Sequence, residues 1–377
     1  PPRLPAPMVS TARRFGQYPH MQVVVALGPQ FRAPNLRDAL DRASLGGPVA
    51  VVSAGWQERE AELDALQQHL GETVRDLRLY ERTEALFAQD GELHAAYRAR
   101  QNELRQLQDL YRVRLDHAKA AARELQQAQD GGAAAQRALR AAITALRRLD
   151  AGHLRDLQAI HARFERHWSP GHHALLARQR DDLEQVIAAA GVVCIAGGNV
   201  AVLLNRLRLF GLGRALRTRP VVAWSAGAMA IAQRVVLFHD HPPQGAGNAE
   251  LFEAGLGLVP GTVFLPHAAT RLALDDPQRV ALLARRLAPD VACTLDDGDQ
   301  LVPEGGGHSP QGQQLVPALT GVAGATDRHR AAGELRLDEG HVVVAVGQTE
   351  RRHHGVRPRA LHRQDAVAGV LVLDRDA

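Results

Sequence analysis

Short apolar runs that alternate with amphipathic segments constrain this chain more than any other feature. MQVVVAL (21–27), VAVVSAG (49–55), VVCIAGG (192–198), PVVAWS (220–225) and VACTL (291–295) are each strand-length and each lead into turn-forming residues. Between them lie helix-type segments: 35–44 with Leu36, Leu40 and Ala43 on one face, 57–70 with Leu63, Leu66 and Leu70, then 172–190, 199–216, 226–234 and 278–288. TVRDLRLY (73–80) alternates like a further strand. Strand followed by helix, repeated, predicts an α/β fold with a doubly wound, mostly parallel sheet covered on both faces.

That rhythm stops between 84 and 168. Leu104, Leu107, Tyr111, Leu115, Ala118, Ala122 and Leu125 recur every third or fourth residue, as do Leu139, Ala142, Leu146, Leu149, His153, Leu157, Ile160 and Phe164. Asp130-Gly131-Gly132 separates the two series. The spacing predicts a long antiparallel coiled helical hairpin inserted into the α/β core. A compact domain could not fully cover such a stalk, so it is expected either to pack on itself or to dock a second copy of the chain or a protein partner. The expected organisation is a disordered tail over 1–20, an α/β core over 21–83 and 169–330, the hairpin over 84–168, and a small β extension over 331–377. The extension is suggested by ELRLDEGHVVVAVG and GVLVL.

Composition excludes several function classes. The chain of 377 residues is 45% hydrophobic and 23% charged, as in ordinary globular proteins. No apolar run approaches the ~18 residues of a membrane helix, so no membrane partner is expected. The first twenty residues lack the apolar stretch of a secretory signal. Cys194 and Cys293 cannot build a disulfide framework, which suits a reducing cytoplasm. Of the 45 basic residues only Lys119 is a lysine, and the net charge is +4. The arginines are spread among acidic residues with no aromatic interleaving, so no nucleic-acid partner is expected.

Two turns carry the chemistry. In Ala223-Trp224-Ser225-Ala226-Gly227-Ala228 an apolar run delivers a serine into small residues, and an alanine-rich helix begins at once. Such an elbow exposes a hydroxyl and sets the Ala226 N–H where an oxyanion would form. It departs from G-x-S-x-G at Ala223, and an ordinary small-residue turn would read the same way. Ala196-Gly197-Gly198-Asn199 closes the preceding strand and offers a second backbone donor, or is a plain tight turn. His239-Asp240-His241 resembles a fragment of a zinc site, but neither a CxxC nor an HExxH supports it, and no metal or other cofactor is expected.

A strand ending in GGN, a helix, then a strand ending in WSAGA resembles the cyanophycinase and aspartyl dipeptidase (dipeptidase E) family of serine peptidases, whose fold is similar to class I glutamine amidotransferases. The resemblance covers roughly 21–80 and 170–303. It implies a Ser-His-acid triad with Ser225 as nucleophile, His267 in VFLPHAATRL as base, and Asp297 in LDDGDQL as acid, with Asp296 and Asp299 as alternatives. Pro266 and Ala268 stand where the family usually has an acidic residue and an aromatic, and aspartate replaces the glutamate of the dipeptidase branch. Gly198 and Ala226 would form the oxyanion hole. Asn199, Trp224, Asp240 and Arg271 would meet a small peptide substrate with an acidic residue beside the cleaved peptide or isopeptide bond; an arginine suits a carboxylate because its planar fork pairs with both oxygens. The alternative is a catalytically inactive amidotransferase-like module whose hairpin binds a protein.

Overall fold

The computed structural model describes residues 22–128, 132–238 and 249–301. The first half contains β1 (Val24–Leu27), α1 (Leu36–Arg42), β2 (Val49–Val52), a 3-10 segment (Ala54–Arg59), α2 (Asp64–Leu70), β3 (Val74–Asp76), α3 (Leu79–Gln89), α4 (Gly91–Gln127) and α5 (Gly132–Trp168). There follow α6 (Ala174–Ala189), β4 (Val192–Ile195), α7 (Val200–Leu209), α8 (Gly213–Leu216), β5 (Val221–Trp224), α9 (Ala226–Ile231), β6 (Arg234–Leu237) and β7 (Glu250–Ala254). The described chain closes with β8 (Thr262–Pro266), α10 (Ala268–Arg271), α11 (Pro277–Leu287), β9 (Val291–Leu295) and β10 (Gln300–Leu301).

The architecture is α/β, with a mostly parallel central sheet and a long helical hairpin. The sheet order is β10-β1-β5-β4-β2-β3, parallel except for β10, which runs antiparallel to β1. Every residue of β1, β2, β4 and β5 is buried, which explains their unbroken apolar character: both faces of a parallel sheet are covered. Alternate side chains serve opposite layers. Val25, Leu27, Val51, Cys194, Val222 and Trp224 pack with Leu36 and Leu40 of α1. Val24, Ala26, Val52, Ile195 and Ala223 face a larger core shared with α7, α9 and the hairpin. Beside the sheet, β6 pairs antiparallel with β7, and β8 pairs parallel with β9.

The hairpin forms as its spacing predicts, with two 37-residue helices each about 55 Å long at 1.5 Å per residue. It does not stand clear of the body, and here the expectation of a largely uncovered stalk is corrected. Tyr97, Tyr111, Leu115, Leu139, Ile143 and Leu146 belong to the same buried cluster as the sheet. Gln126, near the far end of α4, donates to the Gln278 carbonyl at 2.9 Å, and Arg147 donates to that of Arg285 at 2.8 Å. At the base, Asp90 caps α4 by accepting the Leu93 N–H at 2.9 Å, and His173, which caps α6, meets its other oxygen at 2.9 Å.

Polar residues at or beside the apolar positions of the periodicity hold the hairpin down. Asp150 of α5 makes a bidentate pair with Arg286 of α11 at 2.7 and 2.8 Å, and both are almost wholly buried. The Tyr111 hydroxyl donates to Asp150 at 2.8 Å and accepts from Arg286 Nη2 at 2.8 Å and from the Leu251 N–H at 3.1 Å. His153 stacks on Tyr111 with ring centroids 4.0 Å apart, and burial pushes its pKa down to about 4, so it is neutral near pH 7. His161 meets Glu253 of β7 at 2.8 Å.

Other boundaries differ from the sequence reading. The helix expected over 57–70 is a 3-10 segment and then α2, because Gln57 takes a positive φ of 58°. The strand expected over 73–80 ends at Asp76, and α3 starts at Leu79, where the buried Glu60 carboxylate accepts the N–H groups of Tyr80 and Glu81 at 3.0 Å. The tail over 1–20 and the extension over 331–377 lie outside the described residues. No helix among the described residues is long and apolar enough to cross a membrane.

Asp150→Ala would leave the Arg286 guanidinium buried without its acid. The expected loss is about 3–5 kcal/mol, read from the urea midpoint at constant m-value. A loss below about 1 kcal/mol, the worth of a surface pair, would show that the cluster is solvated.

Candidate active site

The C-terminal ends of the parallel strands are where an open α/β sheet places its ligands. At the end of β5 the chain turns at Ser225 with φ 51° and ψ −119°, a conformation that costs a side chain of order 1–3 kcal/mol. The turn is held on both sides: the Ser225 N–H donates to the Leu27 carbonyl at 3.0 Å, and the Ser225 carbonyl accepts the Met229 N–H at 3.1 Å. The Ser225 hydroxyl makes no capping bond to α9, and the residue is half-buried. Small residues are required behind it. A Cβ on Gly227 would lie 2.2 Å from the Ile195 carbonyl oxygen.

The Gly197-Gly198 turn after β4 lies directly against this elbow. A Cβ on Gly197 would sit 3.0 Å from Ser225 Cβ and 3.4 Å from its Oγ. Gly198 has φ +104°, is exposed, and interlocks with the loop after β2, since its Cβ would fall 2.3 Å from the Gly55 carbonyl oxygen. Among the described residues no hydrogen bond is made by the N–H of Gly198 or of Ala226. Asn199 is committed to structure. Its N–H donates to Gly55 at 2.8 Å, and its Oδ1 caps α7 by accepting from Ala201 and Val202 at 3.0 and 3.2 Å. Trp224 is likewise turned into the core of the α1 side.

His267 follows β8 in the left-handed region, φ 58° and ψ 32°, with its N–H on the Leu295 carbonyl at 2.9 Å. The register that sets Pro266 beside Leu295 puts His267 next to the turn 296–299. In that turn two of the three candidate acids serve the backbone. Asp296 accepts the Ala269 N–H at 2.9 Å, and Asp299 accepts the Asp296 N–H at 2.8 Å; burial raises the pKa of both. Asp297 is exposed, and its charge acts on His267 in favour of the imidazolium. Burial outweighs it, and with Arg271 and Arg32 lowers the His267 pKa below its ordinary value. The turn also returns to the sheet: the Gly28 N–H donates to the Asp299 carbonyl at 2.9 Å, one residue past the Leu27 that holds Ser225.

Ser225, His267 and Asp297 thus stand on neighbouring loops at one edge. The His267 ring makes no hydrogen bond with Ser225 or Asp297 among the described residues. Arg271 is half-buried, burial alone lowers its pKa, and no acid among the described residues pairs with it. Asp240, with His239 and His241, lies outside the described residues. No group of three or more His, Cys, Asp or Glu able to hold a metal occurs among the described residues. Arg32 escaped the sequence reading because only the fold brings the β1–α1 loop to His267.

Residues 151–309 match the sequence profile of peptidase family S51. Over these residues the chain is similar to S51 peptidases. The matched stretch takes in the second half of α5, all of β4 to β10, and Ser225, His267 and Asp297. No curated protein matches the chain. Among solved structures, a peptidase from an acI-B1 Actinobacterium is similar at 12% identity over 79% of this chain and 95% of that one, with a TM-score of 0.38.

Gly197→Ala would crowd the Ser225 side chain. Misplacement on the ångström scale costs on the order of tenfold or more in rate, read as slower reaction of Ser225 with a fluorophosphonate. The urea midpoint is expected to move much less than for Asp150→Ala; equal reaction rates would place the hydroxyl clear of the glycine turn.

Proposed function

We propose that this chain is a serine peptidase of the S51 type that cleaves a peptide or isopeptide bond next to an acidic residue, through Ser225, His267 and Asp297. The observation that carries the reading is the strained turn at Ser225, whose hydroxyl is left out of helix capping while two backbone N–H groups beside it stay unspent. An uncharged serine hydroxyl is a weak nucleophile until a base takes its proton. Neutral His267 accepts that proton as Oγ attacks the carbonyl carbon. Gly198 and Ala226 donate to the resulting oxyanion. The imidazolium then protonates the leaving amine as the C–N bond breaks, and Asp297 stabilises its charge. Water, deprotonated by His267, releases the acyl group and restores Ser225. Arg271, desolvated and without an acid among the described residues, suits the substrate carboxylate.

The same reading sets the roles of the remaining residues. Asn199 shapes the oxyanion turn rather than meeting substrate, and Trp224 anchors the strand beneath the nucleophile.

Ser225→Ala is expected to abolish labelling by a fluorophosphonate while far-UV circular dichroism and the urea midpoint stay near those of the unsubstituted chain. Equal labelling of the variant would remove Ser225 from the mechanism. The pH profile supplies an independent check. The base works neutral, and the His267 pKa lies below the ordinary 6.5. kcat/KM should therefore hold down to and below pH 6.5 and fall only at more acid pH. An acid limb centred above 6.5 would contradict the burial and the two arginines described.

A further inference from the structure

Gln57 adopts φ 58° and ψ −124°, nearly the conformation of the nucleophile at φ 51° and ψ −119°. In this region a β-carbon is crowded, and glycine is the ordinary occupant. Glycine would make the same turn without strain, so the presence of a long side chain calls for a reason.

The loop that carries Gln57 is fixed on both sides. The Trp56 N–H donates to the Ser53 carbonyl at 2.8 Å, and the Glu60 N–H to the Gln57 carbonyl at 2.9 Å. Glu60 is itself anchored by the Tyr80 and Glu81 N–H groups. Two residues before Gln57, Gly55 accepts the Asn199 N–H, and a Cβ on it would lie 2.4 Å from the Gly197 oxygen. Gly197 in turn touches Ser225. Gln57 therefore stands beside the oxyanion turn on a loop that cannot easily give way. It is half-buried, and its carboxamide has no hydrogen-bond partner among the described residues. A carboxamide both donates and accepts, so it can pair with the N–H and C=O of a peptide group. Being uncharged, it reads the backbone of a substrate, whereas Arg271 reads its charge.

We propose that Gln57 is a substrate-positioning residue whose carboxamide hydrogen-bonds the peptide group adjoining the bond cleaved at Ser225. The proposal rests on the Ser225 reading, and the test separates the two. Two reagents are compared on the full chain: a small alkyl fluorophosphonate, which has no peptide group, and an aspartyl-peptidyl diphenyl phosphonate, which has one. Gln57→Ala and Gln57→Gly should both react with the alkyl reagent at a rate within about twofold of the unsubstituted chain, a fraction of one hydrogen bond. Both should lose about tenfold with the peptidyl reagent, in its inhibition constant rather than its limiting rate. Gln57→Gly should also raise the thermal midpoint, because glycine accepts the positive φ. A purely structural glutamine predicts that rise with no discrimination between reagents.

Equal retention or equal loss with both reagents overturns the proposal. So does an unsubstituted chain that reacts with the alkyl reagent but gains nothing from the peptidyl one. A chain that reacts with neither, or a Ser225→Ala variant that reacts undiminished, fails the nucleophile reading and takes this proposal with it. Labelling that depends on Ser225 but is indifferent to Gln57 fails this proposal alone.

Discussion

Burying both faces of a parallel sheet leaves its strand ends as the place where backbone can meet solvent. In this protein β1, β2, β4 and β5 are apolar throughout, and the loops that follow them crowd together at one edge. The consequence is mutual bracing. The Leu27 carbonyl holds Ser225, Gly28 holds the turn that carries Asp297, and Gly55 holds Asn199. The strain at Ser225 is tolerated because the neighbouring strand ends fix its backbone from several directions.

The hairpin enlarges this core. Its seam residues are continuous with the sheet cluster, and Asp150, Arg286 and Tyr111 satisfy one another in a site from which water is excluded. A paired buried charge gains little over a well-packed apolar alternative but penalises every arrangement that separates the partners. That asymmetry fixes the hairpin along α11. The long helices are therefore structural members of the molecule along most of their length.

What was legible in the sequence follows the range of the interactions. Uniformly apolar strands and the helical seam announce themselves locally, and the elbow at Ser225 is visible because strand, serine and small residues are contiguous. β6, β7 and β10 were not read, since RVVL and ELFEA mix charge with apolar residues and β10 is two residues long. The start of α3 depends on a Glu60 carboxylate some twenty residues upstream, which no local pattern records. His153, His161 and Asp150 occupy or adjoin apolar positions of the helical repeat, and only partners distant in sequence explain their burial. For the proposed site, Ser225, His267 and Asp297 each sit in a local motif that the chain displays, whereas Arg32 and the Gln57 loop come near them through folding alone. Asn199 and Trp224 were expected at the substrate, but the physical demands of capping a helix and filling a core claim them.

Helix α11 has a position that gives the Arg286 pair wider reach. It lies in the covalent span between β8, which ends one residue before His267, and β9, which ends two residues before Asp297. The hairpin grips that span from outside. His267 and Asp297, the base and acid of the proposed reaction, are therefore suspended from a single girder, clamped by a member far from the cleft. Loosening at the clamp would be felt as slack between the two groups that must act in concert.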